Sequence, residues 1–239
     1  MTTLTMVRHA QASLFADDYD RLSPLGERQA LALGQYWARS RTVFERVFSG
    51  PAKRHRRTAE LAGEVCRKAG LAWPEPVILQ DLDEFPAEAL VERYLPQIVR
   101  EHPRVAALHL ELERAAATAE RARAFEPVFR ALTGMWARQE FDASEVETWE
   151  RFAARVRRGL SEVRDHGAGA ASVALFSSAG PVGIGVQAAL GLDPAKTMEL
   201  ILLVRNTACS EFLFSDDRFW LRSFNAVSHL DDPALVTDR

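Results

Sequence analysis

The chain has 239 residues and a mass of 26.7 kDa, with 30 basic and 33 acidic side chains and a formal net charge of −3. Its 47% hydrophobic and 26% charged content excludes a disordered or low-complexity protein, and its length fits one domain with a full core. We therefore treat residues 1–239 as a single domain. No apolar run approaches the ~18 residues of a membrane span, and no basic stripe indicates nucleic acid. Residues 1–10 lack the apolar region of a signal peptide, so we expect a cytoplasmic protein without membrane or nucleic-acid partners.

Strand-like and helical segments alternate along the chain. Short apolar runs predict strands at 4–8, 46–49, 77–80, 172–177, 198–205, 210–215 and 219–224. Apolar residues at helical spacing predict helices at 24–39, where Ser23 and Pro24 form a typical start, at 52–69, at 146–165 after a capping box at 144–147, and at 181–190. This alternation predicts an α/β fold, with a doubly wound, mostly parallel central sheet flanked by helices.

Residues 86–140 differ from the rest because they are rich in Ala, Glu and Arg and show helical periodicity only. We interpret them as a largely helical insertion, with Pro96, Pro103 and Pro127 as potential breakers. Two roles for this insertion stay open: a cap over a pocket, or the surface of a homodimer.

Chemically active side chains follow three of the predicted strands. Arg8 and His9 end the first strand, Arg54 lies in the first turn of the helix after the second, and residues 177–180 join a strand to a helix N-terminus. Open α/β sheets bind ligands at the carboxyl ends of their strands, and a helix N-terminus attracts anions. Two guanidinium groups, an imidazole and a hydroxyl at one sheet edge therefore predict a phosphate site. The two cysteines, Cys66 and Cys209, form no metal-ligand spacing, and we expect neither a metal nor another cofactor.

These segments resemble the histidine phosphatase superfamily, the phosphoglycerate-mutase-like clan. The resemblance rests on VRHAQAS at 7–13, DYDRLSPLGERQA at 18–30, SGPAKRHRRTAE at 49–60, DLDE at 81–84, VALFSSAGPVGI at 173–184, RNTACSEF at 205–212 and FNAVSHL at 224–230. It runs from residue 4 to about residue 230 and covers the helical insertion least.

The resemblance implies a role for each matching residue. His9 would be the nucleophile that becomes phosphohistidine, Arg8 and Arg54 would bind the transferring phosphoryl group, and Glu84 would protonate the leaving oxygen and then activate water. The further phosphate contacts would come from Gln11, Ser13, Ser178 and the backbone of Ala179. Asp81 and Asp83 compete with Glu84 for this role, and each of the three could instead cap a helix that starts at Pro86.

The chain departs from the family pattern at two notable positions. Ser178 occupies the place of the family's second histidine, and Phe15 replaces an asparagine. A hydroxyl donates one hydrogen bond but carries no charge, so Ser178→His is expected to raise turnover. His55 and His229 are considered as replacements, but His55 directly follows Arg54 and neighbouring helical residues point in different directions.

We therefore expect a metal-independent phosphatase that hydrolyses a phosphate monoester of a small molecule through phospho-His9 and releases inorganic phosphate. A mutase is less favoured, because no residue is identified that would reorient a phosphorylated intermediate. The alternative is a weak or inactive pseudophosphatase that binds a phosphorylated ligand, which the serine at 178 would favour. A third alternative is an α/β scaffold whose helical insertion binds a protein partner.

Overall fold

The computed structural model describes residues 1–13, 20–215 and 218–238, except for the side chains of Thr118 and Ala119. Phe15 lies outside the described residues. The strands are β1 (Thr2–Arg8), β2 (Arg46–Ser49), β3 (Val77–Ile78), β4 (Ser172–Ser177), β5 (Cys209–Phe214) and β6 (Phe219–Ala226). The helices are α1 (Pro24–Ser40), α2 (Lys53–Lys68), α3 (Ala87–Glu101), α4 (Pro103–Arg114), α5 (Thr118–Ala137), α6 (Trp149–Gly167), α7 (Ala179–Leu190) and α8 (Pro194–Ile201), with 3-10 turns at Gln80–Leu82 and Pro233–Leu235. Among the helices of these residues, none combines the length and apolar character that crossing a membrane requires.

The six strands form one sheet in the order β3-β2-β4-β1-β5-β6. The strands from β3 to β1 pair in parallel, whereas β5 pairs antiparallel with β1 and β6 pairs antiparallel with β5. The sheet is therefore mixed but mostly parallel, and the predicted α/β fold class is confirmed.

Both faces of the central strands are buried. In β4, Val173 and Leu175 pack into one apolar core, while Ala174 and Phe176 pack into the other. Helix α6 contributes to the first core, and helices α1 and α2 contribute to the second. Since successive side chains of a strand point to opposite faces, this alternation requires helices on both sides of the sheet, as in a doubly wound fold.

The strand predicted at 198–205 is wrong, because its first residues belong to helix α8. Asp193 caps this helix by accepting a hydrogen bond from the Lys196 backbone nitrogen at 2.8 Å, and Pro194 occupies the first turn. Met198 and Ile201 of this run instead lie on the buried face of the helix, together with Thr197. The Asp-Pro start is a helix signal that outweighs the apolar run.

The predicted capping box at 144–147 is also wrong. Helix α6 begins at Trp149, and the hydroxyl of Thr148 accepts the hydrogen bond from the Arg151 backbone nitrogen. Glu147 is used differently, because its carboxylate forms an ion pair with Arg155.

Residues 86–140 contain the three helices α3, α4 and α5. Of the three prolines proposed as breakers, only Pro103 marks a helix start, whereas Pro96 and Pro127 lie inside α3 and α5. That this segment is an insertion, with a role either as a cap over a pocket or as the surface of a homodimer, stays a prediction.

Candidate active site

The carboxyl ends of β1, β2 and β4 meet at one edge of the sheet. The backbone nitrogen of His9 donates to the Ser177 carbonyl at 2.7 Å, and that of Gly50 donates to the Phe176 carbonyl at 2.8 Å. These bonds continue the strand pairing just past the ends of β1 and β2. They bring His9, the start of α2 and the start of α7 together.

His9 is held with one ring nitrogen committed to the backbone. Its Nδ1 lies 2.8 Å from the Ala10 carbonyl oxygen, which can only accept, so Nδ1 carries the hydrogen and Nε2 keeps its lone pair. The ring is 7% exposed. Burial lowers its pKa well below the usual value, and the charges of Arg54 and Arg8 and the neighbouring His55 lower it further. A neutral imidazole whose Nε2 carries no hydrogen is the form that nucleophilic attack requires.

Arg54 reaches His9 from the first turn of α2. Its Nε donates to His9 Nε2 at 3.2 Å, and its Nη1 forms an ion pair with Asp20 Oδ1 at 2.8 Å. Asp20 also accepts a hydrogen bond from the Lys53 backbone nitrogen at 2.8 Å, although the N-cap residue Ala52 makes no side-chain cap. Asp20 therefore caps α2 and orients Arg54, a role that the sequence analysis missed.

Arg8 points its guanidinium group toward two backbone carbonyls. Its Nη1 donates to the carbonyls of Val204 and Asp238, the latter at 2.7 Å. Its positive charge also lowers the pKa of both His9 and Glu84, less strongly than the charge of Arg54 does.

Glu84 is brought to the N-terminus of α7. Its carboxylate accepts from the Gly180 backbone nitrogen, at 3.1 Å to Oε1 and 3.2 Å to Oε2, and Oε1 also accepts from the Phe85 nitrogen. Burial raises its pKa, and these bonds and the nearby arginines offset only part of that rise. A carboxyl with a raised pKa keeps its proton to a higher pH than usual, which suits a general acid.

The side chains of the two competing acids bind other partners. Asp81 forms an ion pair with Arg158, at 3.1 Å, and Asp83 Oδ1 accepts from the Glu84 backbone nitrogen at 2.9 Å. Only Glu84, among these three, is bonded to the start of α7.

Ser178 follows β4 directly and is fully buried. It occupies the N-cap position of α7, but its side chain makes no capping bond and lies instead 2.6 Å from His55 Nε2. The expectation that His55 points away from the cluster is wrong, since its ring centroid lies 5.5 Å from that of His9. Arg54 and His55 both contact residues at the strand ends, because the first turn of α2 lies next to those ends.

This contact also corrects the expectation for Ser178→His. The hydroxyl already touches an imidazole that is itself fully buried, so a second ring at position 178 would need the same space. We now expect Ser178→His alone to lower both turnover and thermal stability, measured by steady-state assay and thermal unfolding, and His55→Ala in the same chain to restore part of the loss.

The remaining predicted contacts differ in their placement. Ala179 begins α7 beside Ser178, two residues before the predicted start of this helix at 181. Gln11 Oε1 accepts from Ser23 Oγ at 2.8 Å, which ties Gln11 to the start of α1. Ser13 lines a surface cavity of about 300 Å³ with Arg21 and neighbouring residues rather than the cluster around His9. His229 contacts the hydroxyl of Thr207, at 2.8 Å.

The loop that carries Glu84 is fastened to α6 by one arginine. Arg155 donates to the carbonyls of Asp81 at 3.1 Å, Asp83 at 2.8 Å and Glu84 at 2.9 Å, while Glu147 holds its Nε at 2.8 Å. Lysine cannot reproduce this planar fork. Arg155→Lys is therefore expected to lower kcat by about 10- to 100-fold with little change in KM, because Glu84 would lose its alignment. Steady-state kinetics measures this, with Arg157→Lys on the same helix as the matched control; equal effects of the two variants would contradict it.

Buried imidazoles make the fold sensitive to acid. Burial lowers the pKa of His9 and His55 well below 6.5, and that of His229 to about 4. Below pH 6.5 the unfolded chain binds protons on these rings while the folded chain does not, so stability is lost as the pH falls. The free energy of unfolding should decrease by up to about 1.4 kcal/mol per pH unit for each ring. Urea unfolding between pH 7.5 and 5 tests this. In His229→Gln, the free energy of unfolding should change less steeply with pH. A free energy of unfolding that does not change with pH in either protein would contradict the prediction.

Within the described residues, no three His, Cys, Asp or Glu side chains are grouped so as to hold a metal ion. The positive charge of the cluster comes instead from Arg8 and Arg54, on the ends of β1 and α2. Guanidinium forks match the geometry of phosphate oxygens.

Comparison with protein families matches residues 4–126 and 117–227 to the model of the histidine phosphatase superfamily, branch 1. Comparison with curated protein sequences gives no match. Several solved structures share the fold. A phosphoglycerate mutase from Bacillus anthracis has a TM-score of 0.64 and 20% identity, with 96% of this chain and 95% of that chain covered.

Two phosphatases are similar at the same level. A mycobacterial glucosyl-3-phosphoglycerate phosphatase has a TM-score of 0.61 and 20% identity, covering 95% of this chain and 100% of that one. A phosphoserine phosphatase from Entamoeba histolytica, in complex with 3-phosphoglyceric acid, has a TM-score of 0.60 and 17% identity, covering 96% and 100%. At sequence identities of 17–20%, these structures establish the fold and nothing beyond it.

Proposed function

The chain belongs to the histidine phosphatase superfamily, branch 1, and on that premise we propose that it hydrolyses a phosphate monoester of a small molecule through a phosphohistidine on His9. The observation that carries the proposal is His9 itself. Its Nδ1 hydrogen is committed to Ala10, and its Nε2 faces the Arg54 guanidinium at 3.2 Å. The phosphatases with the same fold support hydrolysis as the reaction class.

Substrate binding places the phosphoryl group between His9 and the positive end of α7. Arg54, now 3.2 Å from His9 Nε2, would turn its Nε to a phosphoryl oxygen and free the lone pair of the imidazole. Arg8 adds the second positive charge, and the Ser178 hydroxyl and the Ala179 backbone add hydrogen bonds at the helix N-terminus. Phosphoryl transfer depends mainly on such positioning and charge neutralisation.

The first chemical step transfers the phosphoryl group to the protein. The Nε2 lone pair of His9 forms a bond to phosphorus while the bond from phosphorus to the ester oxygen breaks. Protonated Glu84 gives its proton to that oxygen, and the alcohol leaves. The raised pKa of Glu84 favours the protonated form that this step needs.

The second step releases phosphate. Ionised Glu84 takes a proton from a water molecule, whose oxygen bonds to phosphorus as the bond between phosphorus and Nε2 breaks. Inorganic phosphate leaves, and both His9 and Glu84 return to their starting protonation states.

Rapid-quench trapping tests the proposal. The protein is mixed with p-nitrophenyl phosphate carrying radiolabelled phosphate, in EDTA, and quenched within one turnover. We expect a phosphoenzyme that is labile to acid, stable to base and located on the peptide containing His9. Steady turnover without a trapped phosphoenzyme would overturn the mechanism. Phosphate binding with neither turnover nor phosphoenzyme would identify a pseudophosphatase.

A further inference from the structure

A buried imidazole lies beside His9 and contacts the Ser178 hydroxyl, but the mechanism above gives that imidazole, the ring of His55, no role. His55 and Ser178 are both fully buried, and His55 Nε2 lies 2.6 Å from Ser178 Oγ. We propose that His55 is a positioning residue, which orients the Ser178 hydroxyl toward the phosphoryl group and supplies a positive charge through it. This inference rests on the proposed function and extends it by one residue.

The local backbone is shaped to hold the His55 ring in this place. A Cβ on Gly50 would lie 2.5 Å from His55 Nδ1, so glycine leaves the space that the ring occupies. On the other side, the ring centroid lies 5.5 Å from that of His9. His55 is thus enclosed by the end of β2, the nucleophile and the start of α7, and its ring has little freedom to turn away from Ser178.

The orientation of the hydroxyl follows from the protonation of the ring. When His55 Nε2 carries a hydrogen, it donates to Ser178 Oγ, and the hydrogen of Ser178 is then free to donate to a phosphoryl oxygen. Aligned hydrogen bonds of this kind polarise one another. A serine without this partner would rotate among several orientations, and it would offer the phosphoryl group no charge.

The charge on the ring depends on the ligand. Burial, then the Arg54 charge and to a smaller extent the Arg56 charge, keep the pKa of His55 well below its ordinary value, although the Gly50 backbone raises it, so the ring is neutral at pH 7. A phosphate dianion next to Ser178 favours the imidazolium form, because an opposite charge nearby stabilises the charged state. His55 therefore takes up a proton from the solvent as the ligand binds and releases it when phosphate leaves.

A double-mutant cycle tests whether His55 acts through Ser178. His55→Gln keeps a neutral donor, Ser178→Ala removes the hydroxyl, and a third protein carries both. For each protein we measure the rate at which p-nitrophenolate is released in the first turnover, which reports phosphoryl transfer to the protein. We expect losses of about 10-fold and about 100-fold for the single variants and about 100-fold for the double variant. Losses that multiply to about 1,000-fold, or a His55→Gln burst equal to the parent, would overturn the proposal.

The pH profile separates charge supply from a structural effect. With p-nitrophenolate as leaving group, little help from Glu84 is needed, so the alkaline decline of the burst rate reports His55 losing its proton. His55→Gln should lack this decline. His229→Gln, which removes another buried imidazole bonded to a hydroxyl, should keep it. An unchanged profile in His55→Gln would show that the ring acts only in packing.

A measurement on the unmodified protein covers the case in which the variants do not fold. Nitrogen NMR of histidine-labelled protein, with the His55 ring assigned through its own backbone, is recorded at pH 7 with and without inorganic phosphate. We expect a neutral ring that becomes imidazolium on saturation, and a ring that stays neutral would overturn the proposal. The proposed function fails separately, through the absence of phospho-His9, so the two failures are distinguishable.

Discussion

His9→Ala is expected to lower turnover of p-nitrophenyl phosphate by at least about 10⁴-fold, because removing a nucleophile leaves only binding and charge stabilisation. Arg8 and Arg54 remain in this variant, so inorganic phosphate should still bind with similar affinity. Stopped-flow and steady-state assays in EDTA measure the rate, and titration calorimetry measures the phosphate affinity.

The matched control for this variant is His229→Ala, which deletes an equally buried imidazole outside the cluster. It should lower thermal stability but keep turnover within a few-fold of the parent. If His9→Ala turns over substrate as fast as this control, His9 is not the nucleophile and the phosphohistidine mechanism is refuted.

Glu84→Gln should slow phosphoryl transfer in a way that depends on the leaving group. Phenyl phosphate needs a proton on its leaving oxygen, so we expect a loss of about 10³-fold in the single-turnover rate. With 2,4-dinitrophenyl phosphate the leaving group needs no proton, so the loss should be below about 10-fold. The phosphoenzyme formed from the second substrate should then accumulate, because no carboxylate is left to activate water. Equal losses with both esters would contradict the assignment.

The same variant should be more stable than the parent at high pH, because the pKa of Glu84 is raised in the folded chain. Burial raises that pKa, so the folded chain holds the proton more tightly, and stability is lost as the pH rises through the folded value. Glutamine cannot ionise, so Glu84→Gln should match the parent at pH 4 and unfold at a higher temperature at pH 8. Asp81→Asn, an acid of the same loop paired with Arg158 at the surface, is the control and should show neither effect.

Much of the fold was predictable because the central strands are continuous apolar runs with clear ends. The predictions at 46–49 and 172–177 match β2 and β4 to the residue. Helix α8 was missed because the apolar run at 200–204 continues past its last residue, Ile201, and resembles a strand. Only Asp193 and Pro194, which precede the apolar run and start the helix, distinguish a helix from a strand here.

The candidate site was predictable where a residue follows a strand directly. The placement of His9 and Ser178 at the sheet edge was predictable because they directly follow β1 and β4. Asp20 was missed because it caps a helix that starts 33 residues later in the chain, a pairing that no local pattern contains. His55 was misjudged because its direction depends on the angle at which α2 meets the sheet, which sequence spacing does not give.

The first turn of α2 carries both Arg54 and His55, while Asp20 anchors that turn from a separate loop. Helix ends loosen more readily than helix centres, so this turn is a weak point of the site. A slight unwinding there would separate Arg54 from His9 and His55 from Ser178 at the same time, with the sheet and both cores still intact. Under the proposed mechanism, activity would therefore depend on the stability of a single helical turn rather than on that of the whole domain.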